Sequence, residues 1–159
     1  MQIFRKKQNS GFTLIELLVV VAIIGMLSSV MMLALGMQRM KARDAKRLSD
    51  ARQIKTGLDL YYTAGNGYPD NAQWDASQSA HNVLVCSGID TFRVPNDITP
   101  GFTYDYTAGG NSYTGCGAGT VWSTYKVQFQ TEGETALGPA GTYYVSPLGI
   151  TTCDPFLNC

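Results

Sequence analysis

Glu16 is the only charged residue between Lys7 and Arg39, and its surroundings, "NSGFTLIELLVVVAIIG" from 9 to 25, otherwise read as a membrane helix. An ionisable side chain inside an apolar span is costly, so it marks a functional position and calls for a cationic partner. By helix rise it stands about 6 Å inside the span, where it costs less than the roughly 2.5–3.5 kcal/mol of a charge at the centre. The other reactive groups are Cys86, Cys116, Cys153 and Cys159. None lies in a C-x-x-C pair, and the lone His81 has no ligand partner at useful spacing, so no zinc site is expected. All four follow the apolar run, on the side of a membrane where disulfides persist. Three connectivities are open to them. Cys86–Cys116 with Cys153–Cys159 is favoured, because the second bond closes the short loop "CDPFLNC" and pins the terminus. There is no nucleophile–base pair and no glycine-rich phosphate loop, so the chain is not read as an enzyme.

The elements that position these groups follow from pattern. Phe12 to Met37 is apolar apart from Thr13, Glu16, Ser28 and Ser29. As a helix this stretch is about 39 Å long, enough to cross a bilayer. A secretory signal peptide has a shorter apolar core, although "ALG" at 34–36 has the small-x-small form of a cleavage site. From Gln38 onward, Leu48, Ala51, Ile54, Leu58 and Tyr61 recur every three or four positions, one apolar stripe of an amphipathic helix. No stop signal separates the two halves. A single helix from about Phe12 to Thr63 is therefore predicted, ended by "AGNGYPD", where Gly65 and Gly67 permit left-handed backbone and Pro69 cannot continue. Beyond it, "FTYDYT" at 102–107, "VWSTYKVQFQ" at 121–130 and "TYYVS" at 142–146 are strand candidates, with "AGGN" at 108–111 and "GPAG" at 138–141 as turns. In 121–130, Val121, Tyr125, Val127 and Phe129 share one face. An antiparallel meander covered by the helix stripe is expected. Residues 71–100 have no clear pattern, and "HNVLVCSG" fits a short helix or a strand.

Charge is unevenly placed. The first 59 residues carry ten basic and four acidic groups, +6, and residues 60–159 carry two and eight, −6. Arg5, Lys6 and Lys7 should hold the N-terminus in the cytoplasm. The basic stripe from Arg39 to Lys55 could meet DNA only through phosphates. Asp44, Asp50 and Asp59 interrupt it, so a solvated face or contacts to acidic heads are expected instead of DNA.

A short basic leader ending in Gly11, a phenylalanine, a glutamate four positions later and an uninterrupted span, "G-FTLIELLVVVAIIG", together resemble the signal of type IV pilins and type II secretion pseudopilins. The resemblance covers about a fifth of the chain, and "YYTAGNGYP" at 61–69 looks like the helix-ending segment of major pseudopilins. It implies an α+β, pilin-like fold: residues 1–11 a cleaved leader, 12–37 a transmembrane and filament-core helix, 38–65 its amphipathic half, and 66–159 an extracytoplasmic β-rich head. It implies cleavage between Gly11 and Phe12 by prepilin peptidase, N-methylation of Phe12, and Glu16 paired with the amine of Phe12 on its own helix or a neighbour's. It further implies a homo-oligomeric filament leaving the cytoplasmic membrane, an inner-membrane assembly platform with its ATPase, and minor pilins or pseudopilins. No cofactor is expected. Calcium, bound by some major pseudopilins, is left open, although the head has no D-x-D-x-D loop. Many pilins have a proline further along the apolar helix; here none falls between Phe12 and Tyr68. "NGYP" leans toward a pseudopilin and the four cysteines toward a pilin. A membrane-anchored binding domain that never polymerises is the alternative of a different class.

Overall fold

The computed structural model describes residues 11–79, 83–86 and 88–157. Arg5, Lys6 and Lys7 of the leader, together with His81 and Cys159, lie outside them. The longest element is helix α1, Leu14–Gly65, unbroken over 52 residues. The chain divides into two compact units at Arg39 and Met40, and each is described by itself.

In the first unit every described side chain of the α1 segment is exposed through Arg39. The two hydroxyls of this segment are satisfied within the helix. Ser28 Oγ donates to the Ile24 carbonyl at 2.7 Å and Ser29 Oγ to the Met26 carbonyl at 2.8 Å. Such internal bonds are what hydrocarbon demands of a hydroxyl. The helix is long and apolar enough to cross a membrane.

In the second unit the stripe does what its spacing predicts. Ala51, Ile54, Leu58 and Tyr61 are buried against Val121, Tyr125, Val127 and Phe129 in one core. The helix ends on Asn66, in the left-handed region at φ 56°, whose N–H donates to the Tyr62 carbonyl at 2.7 Å. The flanking glycines serve packing instead. A Cβ on Gly65 would come within 2.7 Å of Cys86 Sγ, and one on Gly67 within 2.5 Å of Val121 Cγ2.

Helix α2, Asn71–Ser79, lies in the segment that showed no clear pattern. Its start is a reciprocal cap: the Gln73 N–H donates to Asp70 Oδ1 at 2.8 Å and the Asp70 N–H to Gln73 Oε1 at 3.1 Å. Strands β1, Val83–Cys86, and β2, Ile89–Arg93, form an antiparallel hairpin, so "VLVC" is a strand. Strands β3, Asp105–Gly115, β4, Gly119–Thr131, β5, Gly141–Ser146, and β6, Gly149–Thr151, form an antiparallel meander in that order. Trp74 of α2 stacks on Tyr106 of β3, ring centres 4.8 Å apart.

"AGGN" at 108–111 is not a turn but lies inside β3, and the chain reverses at Cys116–Ala118, all three with positive φ. The glycines there answer to neighbours. A Cβ on Gly109 would meet the Phe156 ring at 2.3 Å, and Gly110, at φ 77°, sits in a register slip where the Asn111 N–H donates to Ser123 Oγ at 2.9 Å. A bulge bends the strand without ending it.

The basic face of α1 is also less solvated than its composition suggests. Arg47 is 2% exposed. It donates to Asp97 Oδ2 at 2.6 Å and Asp44 Oδ1 at 2.8 Å, lies 2.7 Å from Glu132 Oε1, and its guanidinium carbon sits 4.0 Å from the centre of the Phe102 ring. Asp44 also accepts the N–H groups of Glu132 and Gly133 at 3.0 and 2.8 Å. A paired and hydrogen-bonded charge is the form in which burial is tolerated. Burial pushes the Asp97 carboxyl up, but hydrogen bonds from Arg47 and the Thr99 N–H outweigh it and hold it below its ordinary value. Glu132 is pulled down to about 2, first by its hydrogen bonds from Arg43, which outweigh the opposing effect of burial, and then by Arg47.

Candidate processing and assembly site

Gly11, Phe12 and Thr13 precede the first turn of α1 and are not helical. The Gly11–Phe12 bond therefore lies in accessible, non-helical backbone. Phe12 is 83% exposed, and a Cβ on Gly11 would meet nothing within 4 Å. Thr13 is the N-cap: its carbonyl accepts the Leu17 N–H at 3.3 Å. Glu16 is the third residue of the helix and reaches back. Its Oε2 accepts the Thr13 N–H at 2.9 Å and the Thr13 hydroxyl at 2.7 Å, while the Glu16 N–H faces Thr13 Oγ1 at 3.4 Å.

This is a capping box, and its signature, "T-L-I-E", stands in the sequence unremarked beside the more conspicuous membrane pattern. It changes how Glu16 is read. With the leader attached, the nitrogen of Phe12 is an amide and the carboxylate is held by Thr13. Its second oxygen, Oε1, takes no hydrogen bond from the described residues. The carboxylate is thus aimed at the start of the helix, where the macrodipole favours negative charge. A cut before Phe12 would place an amine one residue from the cap.

A family described as the prokaryotic N-terminal methylation motif matches residues 6–32. This N-terminus is of the prepilin type. Type II secretion system core protein G from Aeromonas hydrophila is 38% identical over 69 residues, 43% of this chain and 48% of that protein. The protein of that name from Pectobacterium carotovorum subsp. carotovorum is 38% identical over 66 residues, 42% of each chain. That from Escherichia coli (strain K12) is also 38% identical over 66 residues, covering 42% of this chain and 46% of its own. The chain matches just under half the length of these curated relatives. No solved structure matches it.

All four cysteines follow the prepilin motif in sequence. Cys86 at the end of β1 is bonded to Cys116 at the β3–β4 reversal, with Cα atoms 5.1 Å apart. The Cys116 N–H donates to the Gly65 carbonyl at 3.2 Å, so this disulfide sits over the C-terminus of α1. Cys153 is also disulfide-bonded, while Cys159 lies outside the described residues. Two further contacts fasten the C-terminal segment to the sheet: Asp154 pairs with Lys126 of β4, and the Phe156 ring covers Gly109.

Proposed function

We propose that this chain is a prepilin-like structural subunit of a type II secretion pseudopilus. Prepilin peptidase cuts between Gly11 and Phe12, the new amine of Phe12 is methylated, and residues 12–37 hold the subunit in the cytoplasmic membrane. It then polymerises with copies of itself and with minor pseudopilins, driven by an inner-membrane platform and its ATPase. The head, residues 66–159 with the second half of α1, stays outside the cytoplasm. The chain needs no enzyme chemistry and no cofactor for this role.

The observation that carries this reading is the N-terminal geometry. An accessible glycine–phenylalanine bond is followed directly by a capped apolar helix whose one carboxylate reaches back to Thr13, the residue after the nitrogen that the cut would free. The names of the relatives favour a pseudopilus over a type IV pilus. In a water-free filament core an unpaired Glu16 would be expensive, and pairing it with a Phe12 amine penalises wrong register.

The test joins processing to assembly. Mass spectrometry of the mature protein is expected to find N-methyl-phenylalanine at residue 12; a chain beginning at Met37 would mean ordinary signal-peptide cleavage. Glu16→Leu should leave membrane insertion intact and abolish filaments in cells that carry the assembly machinery. Normal filaments, or full function without filaments, would instead support the membrane-anchored binding domain.

A further inference from the structure

The head carries a broad groove that none of the contacts above uses. It runs between the exposed face of α1 and strand β2, has a volume of about 570 Å³, and is walled by Arg52, Gln53, Thr56, Leu60, Phe92 and Arg93. A second depression, of about 640 Å³, continues from it through Gln53 and Arg93. The floor is apolar. The Phe92 ring lies directly on Gly57, where a Cβ would come within 2.2 Å of the ring, and Leu60 is 52% exposed. Arg52 and Arg93 stand at the walls, and neither guanidinium has a hydrogen bond or ion pair among the described residues. Arg43, Lys46, Arg47 and Lys55 on the same helix are all paired. An apolar floor between two unpaired guanidinium groups suits an acidic segment with small apolar side chains.

The chain bears such a segment between β4 and β5, "ETALGPA" from Glu134 to Ala140. Its shape is set by its own bonds. Thr135 and Gly138 exchange backbone hydrogen bonds at 2.8 and 3.1 Å, the Leu137 N–H donates to Thr135 Oγ1 at 3.2 Å, and the Tyr143 hydroxyl donates to the Pro139 carbonyl at 2.7 Å. Glu134, Ala136, Pro139 and Ala140 are nevertheless exposed, and Glu134 has no partner among the described residues. A loop already ordered pays little further entropy on docking. Within one chain the two features lie apart. The base of the loop is held at Asp44, through the Gly133 N–H, and Arg52 is eight residues further along α1, about 12 Å by helix rise. A contact between two different surfaces of one chain type is heterologous, and where its rotation does not close into a ring it propagates as a filament.

We propose that the α1–β2 groove is the docking surface for the β4–β5 loop of a second copy of this chain. Glu134 enters between Arg52 and Arg93, and Ala136 and Pro139 rest on Phe92 and Leu60. The contact would set register between heads outside the membrane, as Glu16 does within it, and rests on the filament reading. Opposite charges at such a contact mainly select the right partner surface.

The test is a charge exchange in the full-length protein, expressed with its assembly machinery. Arg93→Glu and Glu134→Arg are each expected to cut filament yield by about tenfold with membrane-inserted subunit unchanged, and the double variant to recover most of it. A photo-crosslinker at Gln53 should yield a dimeric adduct whose second half maps to residues 134–140. Wild-type yield in either single variant, no recovery in the double, or an adduct elsewhere or to another protein would overturn the proposal. Absence of filaments from the unaltered chain would count against the filament reading itself, and the groove would fall with it.

Discussion

Arg47→Ala is expected to lower the unfolding free energy of the head by about 3–5 kcal/mol, the usual cost of removing one partner from a buried ion pair. The expectation rests on what the substitution leaves behind. Glu132 keeps its bonds from Arg43, and Asp44 keeps the N–H groups of Glu132 and Gly133. Among the described residues Asp97 is left with the Thr99 N–H, and its side chain is 4% exposed. The loss therefore concentrates there, and it frees the loop that Asp97 fastens to α1. Urea unfolding of the full-length protein in detergent, followed by the fluorescence of buried Trp74, measures it. A loss below about 1 kcal/mol would mean that water or a shifted side chain replaces the guanidinium.

The same cluster sets a pH dependence. Asp97 and Glu132 have folded-state values depressed below their ordinary 3.8 and 4.5, Glu132 to about 2. Groups of this kind contribute stability that is fully present above their ordinary values and is lost as pH falls toward the folded ones. The wild type should weaken between about pH 5 and pH 2. In Arg47→Ala, Asp97 is buried without its cation and takes up a proton more readily. The gap between the two proteins should narrow over that window; a constant gap would show that the carboxylates do not depend on Arg47.

Cys86→Ala combined with Cys116→Ala is expected to cost about 3–4 kcal/mol, the chain-entropy value for a loop of this size. The bond joins positions 30 residues apart. Removing both sulfurs avoids leaving a reactive thiol, so the difference reports the cross-link. Its placement argues that the loss will be felt at the end of α1, since Cys116 also caps Gly65. Reductant should destabilise the wild type by a similar amount, and any effect it retains on the double variant reports the bond at Cys153. A double variant as stable as the wild type under oxidising conditions would sink the expectation.

The sequence by itself determined the features that depend on near neighbours along the chain. The run from Phe12 to Met37 is apolar all round and free of proline, so a helix is its only stable state in hydrocarbon. The three- and four-residue recurrence of Ala51, Ile54, Leu58 and Tyr61, and the alternation of Val121, Tyr125, Val127 and Phe129, chose which faces meet. The cap on Glu16 was equally local, spelled by Thr13 three residues earlier. Only the tertiary structure decided the rest, because it turns on residues far apart in sequence. Arg47 reads as one more surface cation until Asp97 and Glu132, 50 and 85 positions away, close over it. Gly109 and Gly110 read as a turn until Phe156 and Ser123 require them inside a strand. Arg52 and Arg93 become one site only when β2 is laid beside α1, since local pattern reports the period of an element and carries no record of what is folded against it.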